Sequence, residues 1–212
     1  MTDEPFVRRL IKWVFTSLAA VLVLPAVWLC RLETFRGVGY ERMFHGCGQI
    51  VALLPGYFGM CVRRAFYCGA TKSCSRRCQI GFGVLLSHRD ATIEDDVYVG
   101  NYALLGRVVL RRGCLIGSRA SILSTGQHHR LDDQGRWTTP DRLELMPTEV
   151  GAYAWVGEAA VVMADVGRGA MIAAGTVVGA RVPDHVMVAG NPARFVKKLV
   201  EEKADDGIST LA

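Results

Sequence analysis

Acidic charge is scarce in the first third of the sequence. Residues 1–80 contain 11 Lys or Arg but only 4 Asp or Glu, a balance of +7. Residues 81–212 contain 14 basic and 16 acidic residues, a balance of −2, so the +5 of the whole chain originates in the N-terminal part. A nucleic-acid binder would carry its basic stripe on the folded domain, and this distribution argues against one. A basic, apolar segment instead suits the surface of an anionic membrane. Proline is also sparse, 7 against 23 glycines, which indicates many tight turns and not low complexity. A second matched cysteine pair is missing. Among seven cysteines, Cys74 and Cys78 form the only close pair, so the pattern does not indicate zinc, and reduced, buried thiols are expected. No small-x-small cleavage site follows the first apolar run, which argues against a cleaved signal peptide.

What is present begins with hydrophobicity: 50% of 212 residues are apolar and the mean hydropathy is +0.22. Residues 13–30 carry no charge, and Arg8, Arg9 and Lys12 precede them while Arg31 and Arg36 follow. A second charge-free run covers residues 46–62 and ends in Arg63-Arg64. Pro25 lies inside the first run and Pro55-Gly56 inside the second. Two short segments with breakers suit a hairpin entering one leaflet better than two straight spans. The plainer alternative is a pair of buried helices covering the end of the next domain. The expectation is a helical, membrane-associated region over residues 1–79.

From residue 80 a six-residue period takes over. Its hexads read IGFGVL (80–85), IEDDVY (93–98), VGNYAL (99–104), LRRGCL (110–115), IGSRAS (116–121), VGAYAW (150–155), VGEAAV (156–161), VGRGAM (166–171) and IAAGTV (172–177). Such a period is the signature of a solenoid, not of a sandwich with alternation every two residues. Six residues make one side of a triangular coil, and three hexads make a turn. The aliphatic first position and small fifth position point inward, and glycine in second place serves a tight corner. The expected fold is mainly β, a left-handed parallel β-helix over residues 80–192. The repeat lapses after Ile122, which predicts a loop over 123–149 projecting from one corner, where function concentrates. Residues 193–203 have helical spacing at Phe195, Val196, Leu199 and Val200, so residues 193–212 are expected to form a capping helix and tail.

The motifs AWVGEAAVVM (154–163), GAMIAAGTVV (169–178) and VAGNPAR (188–194), in this order, resemble the hexapeptide-repeat acyltransferases. The likeness is to the galactoside, maltose and nodulation-type O-acetyltransferases, and the apolar N-terminal extension resembles that of envelope-associated relatives. The resemblance implies transfer of an acyl group, acetyl in most of the family, from coenzyme A to a hydroxyl of a sugar or envelope polysaccharide precursor. No permanently bound cofactor or metal is implied. It implies a homotrimer, with a loop histidine as general base in the groove between subunits, a step worth roughly 10²–10⁴-fold. His128 and His129 both stand at that place, and either fits. Asp132 or Asp133 would orient the imidazole, and both are also good turn residues. The coenzyme A wall is implied near Trp155, Gly157, Glu158, Ala174 and Gly179, with Arg194 and Lys197 at its phosphates. Asn101 and Tyr102 take the acceptor side, or else serve a hexad corner.

Two rival classes stand beside this reading. A metal hydrase resembling the γ-type carbonic anhydrases would bring together three histidines, with His88, His128 and His129 as its material. A non-catalytic scaffold of an envelope complex would need no loop histidine in a groove. Acyl-coenzyme A is cytosolic, which places residues 81–212 at the cytoplasmic face of the inner membrane. A hairpin keeping every arginine on that face satisfies the positive-inside tendency.

Overall fold

The computed structural model describes residues 6–37, 40–125, 131–138 and 145–199. It is a parallel β-helix of about six coils preceded by three helices. Two-residue strands alternate with four-residue corners, so each coil visits three faces. Face one carries β1 (Ser73–Cys74), β4 (Thr92–Ile93), β7 (Val108–Leu110) and β10 (Thr148–Val150). Face two carries β2 (Gln79–Ile80), β5 (Tyr98–Val99), β8 (Leu115–Ile116), β11 (Trp155–Val156), β13 (Met171–Ile172) and β15 (Val186–Ala189). Face three carries β3 (Leu85–Leu86), β6 (Leu104–Leu105), β9 (Ser121–Ile122), β12 (Val161–Val162) and β14 (Val177–Val178).

The period of six produces this core directly. On face two, Ile80, Val99, Ile116, Val156, Ile172 and Val188 stack in register and are buried. On face three, Leu86, Leu105, Ile122, Val162 and Val178 do the same. The small fifth positions, among them Ala103, Ala120, Ala154 and Ala160, fill the space beside the corners and are also buried. The second-position glycines are required by close approach. A Cβ on Gly117 would lie 2.6 Å from the Glu158 nitrogen in the next coil, and one on Gly157 would lie 2.5 Å from that of Ala174.

The coil starts earlier than the hexads indicate, at Ser73 instead of residue 80. Cys78, fully buried, fills a small inward position, so cysteine does here what alanine does later. All seven cysteines are free, with the Cys74 and Cys78 sulfurs 3.6 Å apart.

The N-terminal helices depart from the expected hairpin. α1 (Phe6–Glu33) runs without interruption through Pro25. It is the one helix among the described residues with the length and composition to cross a membrane, over Leu10–Glu33, and most of its side chains are exposed. The second apolar run divides into α2 (Arg42–Ala52) and α3 (Gly56–Ala70), separated at Pro55 as its breakers suggest. These two helices are too short to span and pack onto the first coil, the plainer alternative. Phe15 meets Tyr57 and Phe58 at ring-centroid distances of 6.1 and 5.8 Å, and twelve residues on Val27 meets Gly69. α1 and α3 therefore run parallel, and α2 carries the chain back between them.

The cap supplies hydrogen bonds as well as apolar contact. Arg63, 2% exposed, donates Nε to the Ile80 carbonyl (3.0 Å) and a terminal nitrogen to that of Leu54 (2.5 Å). The Tyr67 hydroxyl donates to Val84, the Gly83 N–H donates to Ala52, and His45 Nε2 donates to Ser87. The open edge of the first coil is thus paired by helices.

The opposite end corrects the expected capping helix. Residues Arg194–Lys198 form β16, which pairs antiparallel with β15 after a turn at Gly190 and the cis Asn191-Pro192 peptide. The last strand has a free row of backbone donors and acceptors, and pairing with it outweighs the helical spacing of Phe195, Val196 and Leu199.

Candidate active site at the loop corner

The long excursion leaves the corner between faces three and one after β9 and returns at β10. Its root is clamped from several sides. Thr125 and Met146 form an antiparallel bridge, and the Thr148 hydroxyl donates to the Leu123 carbonyl. Buried Ser124 accepts the Arg107 N–H at 2.9 Å, and Arg107 donates from its side chain to the Leu145 carbonyl at 2.7 Å. Arg107 also lies 3.2 Å from the Asp90 carboxylate, on the same corner one coil below. None of Asp90, Arg107, Ser124 and Thr148 was marked by the hexad pattern, because each occupies a corner or a loop boundary where the period is silent.

His128 and His129 lie outside the described residues, just beyond this clamp. Further along, Leu131 pairs with Trp137 around a tight turn. Asp132 holds that turn. Its carboxylate accepts the Gln134 and Arg136 N–H groups, each at 2.9 Å, and the Arg136 side chain at 2.8 Å. The Arg136 backbone bond is the main reason that its pKa is held below the ordinary aspartate value. The turn-forming role foreseen for one of the two aspartates thus falls to Asp132, while Asp133 is exposed beside it.

The residues named for coenzyme A fall in two groups. Trp155 projects half-exposed from face two, and Gly157 and Glu158 turn the following corner. Ala174 lies directly above them in the next coil, where the Gly175 N–H donates to the Glu158 carbonyl at 2.8 Å. Arg194 and Lys197 lie on exposed β16 at the end of the same face. Gly179 belongs instead to the loop's corner, beyond β14. Face three separates the two corners, so within one chain the loop root and the Trp155 group are not brought together.

Asn101 and Tyr102 share the corner of Gly157, two coils earlier. The Asn101 carbonyl oxygen accepts the Phe82 N–H at 2.9 Å, and Tyr102, at φ +59°, stacks above Gly83 and edge-on to Phe82. Asp165 and Asp184 likewise accept the Glu149 and Arg168 N–H groups of the coil below. Asn101 belongs to this series of corner caps. His88 is held 3.0 Å from the Glu41 carboxylate at the helical end. A different cleft, about 540 Å³, opens on face one, where Arg111 bridges Glu94 and Glu149 at 2.9 Å each and neighbours Asp165, Arg168 and Asp184. Its charges are largely balanced internally.

A triangular parallel coil with one long corner loop is the architecture of the hexapeptide-repeat proteins. No family model matches the chain. Serine acetyltransferase 4 of Arabidopsis thaliana is 31% identical over 121 residues, 56% of this chain and 27% of that protein. The Escherichia coli protein WbbJ, named for O-acetyl transfer in lipopolysaccharide biosynthesis, is 27% identical over 129 residues, 58% of this chain and 64% of its own length. The chain thus spans less than two thirds of these curated relatives. The solved structure of a galactoside acetyltransferase in complex with coenzyme A superposes with a TM-score of 0.60 at 16% identity, covering 76% of this chain and 81% of that one. In repeat, fold and these likenesses the chain is similar to the hexapeptide-repeat acyltransferases.

Proposed function

We propose that the chain is a coenzyme A-dependent O-acyltransferase, with acetyl as the transferred group. Its acceptor is the hydroxyl of a sugar or envelope polysaccharide precursor, and WbbJ, matched over 129 residues, carries a name in that chemistry. The observation that carries the reading is the clamped loop root. A rigid corner, tied by Arg107, Ser124 and Thr148, presents the segment that contains His128 and His129. One of these histidines takes the proton of the acceptor hydroxyl as its oxygen attacks the thioester carbonyl, and the coenzyme A thiolate leaves. Trp155, Gly157, Glu158 and Ala174 wall the pantetheine from one chain, Gly179 on the loop's corner walls it from a neighbouring copy, and Arg194 and Lys197 meet the phosphates. Asn101 and Tyr102 lie on the acceptor side, and Asp132 shapes the loop's turn there. The metal-hydrase alternative loses support because His88 is engaged by Glu41 at the helical end.

His128→Ala and His129→Ala, made separately, test the base. One of them should lower turnover by roughly 10²-fold or more with coenzyme A affinity nearly unchanged. Near-normal turnover in both would remove the loop from the mechanism.

The loop corner and the Trp155 corner are separated within one chain, so a complete groove needs a neighbour. Outward-facing Tyr98, Leu115 and Trp155 stack in register on face two and are all exposed, an apolar stripe suited to burial between copies. A closed homotrimer provides this, at the cytoplasmic face of the inner membrane with α1 as the membrane segment. Light scattering of detergent-solubilised protein should give three chains, and an active monomer would refute the shared groove.

A further inference from the structure

A second cavity is remote from the loop. A groove of about 870 Å³ opens between α1 and α3 and reaches the first coil. Its walls are apolar, with Val23, Leu24 and Trp28 of α1 facing Ala65 of α3. Its lining holds three arginines, Arg31, Arg64 and Arg76, and no carboxylate. Arg31 donates one bond to the Gly69 carbonyl at 3.3 Å, and Arg64 reaches the Thr16 hydroxyl at 3.5 Å. Neither contact neutralises a charge.

The acidic residues nearby are engaged elsewhere. Glu33 accepts the Met43 and Phe44 N–H groups and pairs with Arg89. Glu41 accepts the Arg89 N–H and holds His88. Asp96 pairs with Arg77, and Asp95 accepts the Ser75 hydroxyl. Three guanidinium groups therefore share one groove without a counter-charge among the described residues. Arginine clusters of this kind match the oxygens of a phosphate. The groove is open along α1, where the lining residues Leu24 and Trp28 are themselves exposed. A ligand with a phosphate at one end and hydrocarbon at the other satisfies both parts.

We propose that the groove between α1 and α3 binds an anionic phospholipid of the bilayer, its phosphate among Arg31, Arg64 and Arg76 and its acyl chain along Leu24 and Trp28. The site would set the depth and rotation of α1 through a lipid and not through protein contacts alone. The proposal rests on α1 as a membrane segment, and the test separates the two.

Full-length protein is mixed with vesicles of phosphatidylcholine alone or with one-third phosphatidylglycerol, and bound lipid is counted by native mass spectrometry after detergent extraction. Wild type should retain one phosphatidylglycerol per chain, at least tenfold in preference to phosphatidylcholine. Arg64→Gln with Arg76→Gln should abolish the preference while co-sedimentation with vesicles, driven by α1, persists. Equal retention of the two lipids, or an unchanged preference in the double variant, overturns the lipid site while leaving the membrane segment intact. Displacement of phosphatidylglycerol by millimolar inorganic phosphate would assign the arginines to a soluble anion and overturn it too. A cross-link between two copies at Cys68, which lines the groove, with no retained lipid, would show a second chain there and have the same effect. Failure of wild type to sediment with any vesicle removes the membrane segment and the proposal together.

Discussion

The two ends of the β-helix face the same problem and answer it differently. Both expose a strand with unpaired backbone groups. At the N-terminal end two helices cover the coil, and a buried arginine, a tyrosine hydroxyl and a histidine reach in to bond single edge groups. At the C-terminal end the chain turns back and adds one exposed strand to face two. The first solution buries Phe44, Val62, Phe66 and Tyr67 and contributes hydrophobic energy as well as hydrogen bonds. The second buries little, and its residues remain accessible. One end is therefore built for stability, and the other leaves Arg194 and Lys197 exposed.

The largest effect should come from breaking the helical end. Arg63→Met keeps much of the volume but removes the donors to Ile80 and Leu54, leaving buried carbonyls unpaired. A loss of about 3 kcal/mol in denaturant-unfolding stability is expected. A loss below about 1 kcal/mol would mean that the cap is held by apolar packing alone.

Acid should loosen the same end to a smaller degree. Burial raises the Glu41 pKa, but hydrogen bonds from His88 and the Arg89 backbone outweigh it, and the net value lies below that of an ordinary glutamate. A carboxylate depressed in the folded state stabilises fully above its unfolded pKa and loses that contribution as pH falls through the folded value. Melting temperature should therefore fall more steeply between about pH 5 and 3 in wild type than in Glu41→Gln. Parallel curves would place the acid response elsewhere.

The smallest effect on stability belongs to the other end. Deleting residues 194–212 should cost about 1 kcal/mol or less, since β16 is exposed along its length. Coenzyme A affinity should nonetheless drop at least tenfold with the loss of Arg194 and Lys197. Unchanged affinity in calorimetry would remove those two residues from the proposed donor site, and a large loss of stability would erase the contrast between the ends.

How well each region reads from sequence follows from where its causes lie. Ile116, Val156 and Ile172 announce the coil because every repeat imposes the same demand on the same position. The start of the first coil was hidden because Cys74 stands in register with Ile93, where later coils use an aliphatic residue. β16 was misjudged because Phe195, Val196 and Leu199 carry a local helical spacing, while the unpaired edge of β15 is not visible along the chain. Arg63 followed an apolar run and read as a flanking charge, and its burial makes sense only with the Ile80 carbonyl above it. In the site, the motifs located the Trp155 corner and the loop, whereas Asp90, Arg107 and Ser124 depend on which corners stack.

The helical cap also gives the molecule a fixed origin for measuring distance. Glu33 and Glu41 grip Arg89 and His88, and the next residue, Asp90, pairs with Arg107, which holds the loop root. The coils between cap and loop behave as graduations of a ruler, each about 4.8 Å apart. The loop leaves two graduations above the first coil, so it stands about 10 Å from the capped end. Under the proposed function, an acceptor held by a membrane at α1 would have to project its hydroxyl by a comparable distance, and adding or removing one coil would change the reach by a fixed step.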